Sequence, residues 1–183
     1  MRLYLKLSKS DKIVDFNYQP LLTGCIHKWL GKDNLQHGKV SLYSFSWLQN
    51  IDVVKTGIKI KNGSYFILSL HDMGLVKTVV KNILDEPEMF FGTRVYDIRI
   101  QETPEFSSKE RFLLASPVLV KRYTREKDIH YTFSDEKSDE YLTETLKNKA
   151  KYISPQINRA VKNKSYFYNC YGKEEKFYIE NQG

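Results

Sequence analysis

Residues 21–30, LLTGCIHKWL, predict an amphipathic helix, and the fold follows from what lies on either side of it. Their apolar side chains recur at helical spacing on one face. This set is Leu21, Leu22, Cys25, Ile26, Trp29 and Leu30. At about 100° per residue, His27 projects from the opposite side, near Thr23, so we expect it to lie outside the core. Gly31 is placed to end the helix.

Alternating patterns on both sides of this helix predict strands. Leu3, Leu5 and Leu7 alternate with Arg2, Tyr4 and Lys6, and residues 41–48 alternate aromatic side chains with serines. Residues 58–70, IKIKNGSYFILSL, predict a hairpin with Asn62-Gly63 in a type I′ turn. Residues 75–84 repeat the helical spacing before Pro87, and residues 93–100 alternate again. The order is βαββαβ, the ferredoxin-like arrangement.

The rest of the chain predicts a second unit of similar kind. Residues 101–110 form a polar linker, residues 111–123 predict a strand, and residues 139–153 predict a helix that ends before Pro155. Residues 166–180 predict one strand or a hairpin. This is only the front half of another βαββαβ unit, so either the architecture differs or the chain is truncated. The predicted class is α+β, with tandem ferredoxin-like domains at 1–103 and 111–183, the second incomplete at its C-terminus.

Composition favours an anionic partner and a reducing compartment. The chain of 183 residues has 29 basic and 22 acidic side chains, a net charge of +7, and 13 tyrosines. Lysine and arginine attract phosphates and exposed rings stack on bases, although a lysine-rich proteome would give the same charge. Cys25 and Cys170 lie far apart, which argues against a disulfide scaffold or a zinc site. Without a signal peptide or a membrane span in the sequence, we expect a cytoplasmic protein.

His27 and His37 are the candidate catalytic residues. Two imidazoles with pKa values of about 6.5 can supply a general base and a general acid at neutral pH. Lys28, Lys32 and Lys39 could stabilise additional negative charge around them. The alternative is that both histidines are solvated side chains on a basic surface and have no catalytic role. Metal binding is disfavoured, because no carboxylate or thiolate cluster lies nearby in the sequence.

The other candidate residues have structural explanations. His71-Asp72 lies between a strand and a helix, where Asp72 is placed to cap the helix. His130 lies in a hairpin-like segment and is expected to be solvated. Ser46 and Ser116 have no general base near them in the sequence, so a serine nucleophile has no support.

Several segments, taken in order, resemble a known family. Residues 15–30 and 34–48, DFNYQPLLTGCIHKWL and NLQHGKVSLYSFSWL, resemble the CRISPR-associated Cas-six endoribonucleases, whose first strand is like MRLYLKL. Residues 112–122, FLLASPVLVKR, and 130–150, HYTFSDEKSDEYLTETLKNKA, are similar to later segments of that family. The ordered matches cover about residues 1–151. The glycine-rich loop expected near the C-terminus is not found in this sequence.

The resemblance implies an activity and a partner. Cas-six proteins carry two ferredoxin-like domains of the RAMP type and cut precursor CRISPR RNA within each repeat, without metal or cofactor. The 2′-hydroxyl attacks the adjacent phosphate, which leaves a 2′,3′-cyclic phosphate and a 5′-hydroxyl. On this resemblance His37 is the main general acid or base, His27 its partner and Lys39 a charge stabiliser. RNA contacts are assigned to Lys28, Lys32, Lys121, Arg122 and Arg125, and other CRISPR-associated proteins of an interference complex are further candidate partners.

Other functions fit the same fold. A non-catalytic RNA-binding module would retain guide RNA without cutting it. A regulatory ferredoxin-like domain with no nucleic-acid role is a third reading, which the net charge and the ordered matches disfavour. An unfinished second sheet would expose a strand edge, and this favours self-association as a homodimer.

Overall fold

A computed structural model describes residues 1–31, 42–105, 109–113, 116, 120–124, 126–132, 134–153, 165–170 and 174–180. The chain forms two compact units, Met1–Thr103 and Pro104–Gly183. No helix in these described ranges is long and apolar enough to cross a membrane.

The first unit contains two helices and six strands in its described residues. In chain order these are β1 (Arg2–Leu7), α1 (Gln19–Leu30), β2 (Tyr43–Phe45), β3 (Asp52–Val54), β4 (Gly57–Lys59), β5 (Ser64–Leu70), α2 (Met73–Asp85) and β6 (Val95–Gln101). Four of the strands form an antiparallel sheet in the order β2-β5-β1-β6. Each strand that follows a helix or precedes one lies in this sheet, which confirms the predicted ferredoxin-like order for the first unit.

The predicted hairpin at residues 58–70 is wrong in its pairing and in its turn. β4 pairs with β3 in a separate two-stranded sheet, whereas β5 pairs with β1 and β2. Ser64 N–H donates to the Lys61 carbonyl across the turn, at 3.0 Å. Gly63 has a φ of 84°, but Asn62 is not among the residues with positive φ. A type I′ turn needs positive φ at both central residues, so this turn has the pattern of a type II turn.

One face of the four-stranded sheet and both helices enclose the hydrophobic core of the first unit. β1 contributes its alternate leucines and β5 its alternate apolar residues, all buried, namely Leu3, Leu5, Leu7, Phe66, Leu68 and Leu70. α1 contributes Leu22, Ile26, Trp29 and Leu30, and α2 contributes Val76, Val79 and Ile83. The period-2 and helical patterns of the sequence therefore meet in one cluster.

Capping of α2 agrees with the expectation for Asp72. The Asp72 carboxylate accepts a hydrogen bond from the Leu75 N–H at 3.0 Å. This satisfies one of the amide donors that a helix leaves unpaired at its first turn. The structural role predicted for Asp72 is thus confirmed.

The second unit contains β7 (Lys109–Leu113), β8 (Val120–Tyr123), β9 (Asp128–Tyr131), α3 (Ser138–Ile153), β10 (Ser165–Cys170) and β11 (Glu174–Glu180). β8 pairs with β9 in a hairpin, and three strands form a sheet in the order β10-β11-β7. The single strand predicted at residues 111–123 is wrong, because β7 and β8 are separate and lie in different sheets. The hairpin predicted as one alternative for residues 166–180 is confirmed by the pairing of β10 with β11.

Candidate active site

α1 holds His27 at the edge of the core. Ile26 and Trp29, on either side of it, are fully buried and fix the rotation of the helix. His27 itself is half-buried, and it is not a member of the hydrophobic core cluster. This confirms the expectation that His27 projects away from the apolar stripe. The helix ends at Gly31, whose N–H donates to the Lys28 carbonyl at 3.2 Å.

The side chain of His27 contacts Tyr43, the first residue of β2. His27 Nε2 lies 2.7 Å from the Tyr43 hydroxyl oxygen, which is a short hydrogen bond. The two rings meet edge to face, with centroids 6.2 Å apart and planes at 85°. The bond joins α1 to an edge strand of the sheet, so two elements of the fold set the position of one imidazole.

Sequence reasoning missed Tyr43 as a functional residue. The alternation of Tyr43, Phe45 and Trp47 predicts a strand correctly, but it gives no reason to single out one hydroxyl. The partner lies 16 positions away along the chain, across the helix-to-strand connection. A buried or half-buried tyrosine usually finds a partner for its O–H, and this was the one available signal.

His27 also lines a cleft of about 590 Å³ between the C-terminal ends of α1 and α2. From α1 and its cap come Gly24, His27, Lys28, Trp29 and Gly31, and from α2 and its end come Asn82, Asp85 and Glu86. Gly24 is exposed, and a Cβ added there would meet nothing within 4 Å. The cleft is open on that side, next to His27.

Two hydrogen bonds at Trp29 tie the walls of this cleft together. Trp29 Nε1–H donates to the Glu86 carbonyl at 2.9 Å, and Asn82 Nδ2–H donates to the Trp29 carbonyl at 2.8 Å. Trp29 is fully buried, and both bonds are partly shielded from water. The end of α1 that holds His27 is therefore fastened to the end of α2.

Lys28, predicted to bind RNA, contacts a backbone carbonyl and a carboxylate of this chain. Its Nζ donates to the Glu88 carbonyl at 2.7 Å and lies 3.4 Å from a Glu86 carboxylate oxygen. Asp85 adds a second carboxylate to the lining of the cleft. The helix-end wall of the cleft thus presents two carboxylates, which repel anions.

Four of the predicted site residues lie outside the described residues. These are His37, Lys39 and Lys32, which follow α1 in the sequence, and Arg125, which follows β8. Their roles stay as the resemblance implies them. Within the described ranges, no group of three or more His, Cys, Asp or Glu side chains is placed to hold a metal ion.

Lys121 and Arg122, the remaining predicted RNA contacts, lie on β8 of the second unit. Lys121 forms an ion pair with Asp128 on β9, and the hydrogen bond in that pair raises the pKa of Lys121. Arg122 pairs with Glu144 on α3, donates to the Tyr141 carbonyl and lies 4.6 Å from the Tyr141 ring. Both cations have partners inside the chain, so RNA binding by either would replace or share an existing contact.

Cys25 lies on α1 near these residues without joining the site. Burial raises the pKa of the Cys25 thiol, and the positive charge of Lys28 partly offsets this effect. The thiolate is the nucleophilic form of cysteine. A thiol that ionises less readily than usual is a poor nucleophile, so Cys25 serves the packing of α1.

The chain is similar to solved structures that carry the fold suggested by the sequence. A Cas6-related protein from Pyrococcus furiosus aligns over 100% of this chain and 87% of its own length, with 19% identity and a TM-score of 0.77. An RAMP protein described as binding different RNA substrates aligns over 100% and 88%, with 16% identity and a TM-score of 0.76. A CRISPR-associated protein Cas6 aligns over 98% and 86%, with 20% identity and a TM-score of 0.68.

These similarities define the class of fold. No family model and no curated protein sequence matches the chain. The fold is α+β with tandem ferredoxin-like domains, as the sequence predicted. More particularly, it is a Cas6-like RAMP fold, which confirms the resemblance at the level of the fold.

Proposed function

We propose that this protein is a metal-independent endoribonuclease that cuts precursor CRISPR RNA within its repeats. The proposal rests on one observation above the others, namely an imidazole held at the edge of the core by a short hydrogen bond, on a Cas6-like fold. An RNA-cutting site of this kind needs groups that exchange protons at neutral pH, and histidine is the side chain suited to that task.

The proposed reaction is an internal transesterification. The 2′-oxygen of one nucleotide attacks the adjacent phosphorus, and the bond from phosphorus to the 5′-oxygen of the next nucleotide breaks. A general base takes the proton of the 2′-hydroxyl, and a general acid gives a proton to the departing 5′-oxygen. The products are a 2′,3′-cyclic phosphate and a 5′-hydroxyl, so no water is consumed and no electron is transferred.

Three side chains share the proposed chemistry. His37 is the main general acid or base, and His27 exchanges the second proton. Lys39 offsets the additional negative charge on the five-coordinate phosphorus of the transition state. In this scheme one imidazole acts as the general base and the other as the general acid. The rate should therefore have a bell-shaped dependence on pH, because the base must be neutral and the acid protonated.

Basic side chains outside the site would hold the RNA backbone. We assign this role to Lys28, Lys32, Lys121, Arg122 and Arg125. For Lys28 and Arg122, the ion pairs with Glu86 and Glu144 become part of the binding equilibrium. Each phosphate contact of this type releases counterions, so the affinity for RNA is expected to fall steeply with added salt.

Cleavage of the host's repeat RNA in EDTA tests the proposal directly. The unaltered protein should cut the repeat at one position, and the 5′ fragment should end in a 2′,3′-cyclic phosphate. His37→Ala should lower the rate by about 100-fold or more, and His27→Ala by about tenfold or more, because general acid–base groups contribute factors of this size. His130→Ala is the matched control, since His130 is an exposed histidine on β9.

The outcomes separate the enzyme from its rivals. Tight binding of repeat RNA without cutting would replace the proposal with a non-catalytic RNA-binding module. Absence of binding would overturn both. Cutting that requires a divalent cation, or that survives His37→Ala unchanged, would show that the proposed acid–base chemistry is wrong.

A further inference from the structure

The contact between His27 and Tyr43 limits what the imidazole can do. One ring nitrogen, Nε2, is already within 2.7 Å of the Tyr43 hydroxyl oxygen. Tyr43 is anchored in turn, because β2 pairs with β5 and places Tyr43 opposite Leu70. Leu70 is buried, so the strand backbone behind the hydroxyl is part of the core. The strand that carries the Tyr43 hydroxyl is therefore held in place by its pairing with the core.

A tyrosine hydroxyl can donate or accept, so the bond survives every protonation state of His27. In the imidazolium, Nε2–H donates to the tyrosine oxygen. In the neutral ring, Nε2–H donates to that oxygen or Nε2 accepts from the hydroxyl, according to the tautomer, so the ring is held at Nε2 in both. The bond to the charged ring is the strongest of these, because a charged donor makes a stronger hydrogen bond.

We propose that Tyr43 is the positioning residue of the site, whose hydroxyl holds the His27 ring through Nε2. Tyr43 acts through His27 and makes no bond to the reacting atoms. This inference rests on the proposed function for its role in RNA cleavage, while the geometry of the pair stands without it. It adds a residue on the strand to a site so far assigned to α1 and the segment that follows.

Charged groups around the pair act on the same ring. Lys28 lies next to His27 on α1, and Asp85 and Glu86 line the same cleft from the end of α2. Lys28 is itself paired with Glu86. Tyr43→Phe leaves these three groups in place, so it isolates the contribution of the hydroxyl.

The first measurement needs no RNA. Long-range proton–nitrogen NMR spectra of the full chain report the ring nitrogens of each histidine, with His27 assigned by its loss in His27→Gln. Tyr43→Phe keeps the aromatic ring of residue 43 and removes the hydroxyl, so the Nε2 signal of His27 should move. Tyr65→Phe, at another half-buried tyrosine of the same sheet, should leave that signal unchanged.

The second measurement connects the pair to cleavage. The single-turnover rate of cleavage should fall by about tenfold or more in Tyr43→Phe, since small errors in placement cost rates of this order. The dissociation constant for repeat RNA should stay within about twofold, because Tyr43 orients a group and is not assigned to hold RNA.

Each result decides a different statement. A His27 Nε2 signal that Tyr43→Phe leaves unchanged overturns the inference whatever the RNA does. Unchanged cleavage by Tyr43→Phe also overturns it. Absence of cutting by the unaltered protein overturns the proposed function and this role in it, while the NMR data would still report the pair itself.

Discussion

The two units of the chain hold their polar side chains in different ways. In the first unit, His27 lies between Ile26 and Trp29, both fully buried, and its partner Tyr43 starts a strand of the central sheet. In the second unit, Lys121 and Arg122 lie on a two-stranded hairpin and are held by Asp128 and Glu144. Among described residues, the hydrophobic core cluster lies wholly in the first unit.

This difference has a consequence for function. Apolar packing is insensitive to salt, whereas exposed ion pairs are weakened by it. For the function proposed above, the first arrangement suits an imidazole that is held in one orientation. The second suits basic groups that exchange an acidic partner for a phosphate, because exposed ion pairs break at little cost.

Truncation of one packed ring in each unit gives the strongest contrast. Trp29→Ala should reduce the free energy of unfolding by about 3–5 kcal/mol, because the side chain is fully buried and donates to Glu86. Tyr141→Ala removes a half-buried ring that stacks against Tyr131 and Arg122, and it should cost about 1 kcal/mol. Urea denaturation, followed by hydrogen exchange in α1 and in α3, measures both.

Equal losses of unfolding free energy in Trp29→Ala and Tyr141→Ala would show that the two units do not differ in how strongly they are packed. Tyr123→Ala serves as a baseline, since the Tyr123 side chain is 83% exposed and its removal should change stability by less than about 0.5 kcal/mol.

Two glycines of the first unit test how closely its backbone is packed. A Cβ at Gly57 would lie 2.2 Å from the Val14 carbonyl oxygen, where β4 bridges to Val14. Gly57→Ala should therefore cost about 2–3 kcal/mol, because backbone must move. Gly63→Ala meets no atom within 4 Å and bears only the strain of its positive φ, about 1 kcal/mol. Thermal or urea unfolding of the two variants ranks them, and the reverse order would contradict the close approach at Gly57.

Arg122→Ala tests the ion pairs of the second unit. It removes the contacts with Glu144 and the Tyr141 ring, and the expected loss is about 1 kcal/mol or less, since such exposed pairs contribute little. The difference from the unaltered protein should shrink in 1 M salt, measured by urea denaturation at both salt concentrations. A loss that salt leaves unchanged would assign the contribution of Arg122 to packing against the ring.

Substitution of Lys149 on α3 is expected to change stability least, by an amount that depends on pH. Burial lowers the pKa of Lys149 in the folded protein, so the unfolded chain binds more protons as pH approaches the ordinary lysine value. At neutral pH the folded state carries a partly desolvated charge. Lys149→Met should therefore raise stability by about 0.5 kcal/mol at pH 7, a value discounted for the solvated part of the side chain.

This gain should shrink as pH rises through the folded pKa and then through 10.5, because the amine loses its proton first in the folded state and then in the unfolded chain. Urea denaturation of the variant and the unaltered protein at pH 7 and at about pH 10.5 measures the decrease. A gain that is undiminished at the higher pH would show that the methionine acts by packing alone.

Local patterns in the sequence predict both helices of the first unit, the four strands of its main sheet and the side of α1 on which His27 lies, but they do not predict β3. Alternation and helical spacing depend only on which residues are apolar, and burial then follows for Leu3, Ile26 and Phe66. The cap at Asp72 depends on residues three apart and was predictable for the same reason.

Pairing across the chain was not predictable in this way. Asn62-Gly63 favours a local hairpin between the segments on either side of it. In the structure the buried face of β5 places it between β1 and β2 instead. The residues of a turn carry no information about such distant partners. The contacts of Lys28 with Glu86 and of His27 with Tyr43 depend on how helices and strands pack after folding. The two histidines were enough to propose a site from the sequence. The contact of His27 with Tyr43 on β2 was found only in the structure.

Gly24 gives the cleft a property that stability alone would not select. A glycine inside a helix costs about 1 kcal/mol relative to alanine, and none of the described residues crowds this position. One turn away from Lys28 and three residues before His27, it lines the cleft without a side chain. Gly24→Cys is therefore a suitable attachment point for a spectroscopic label, which would test the proposed binding of RNA beside His27 without replacing any residue of the proposed site.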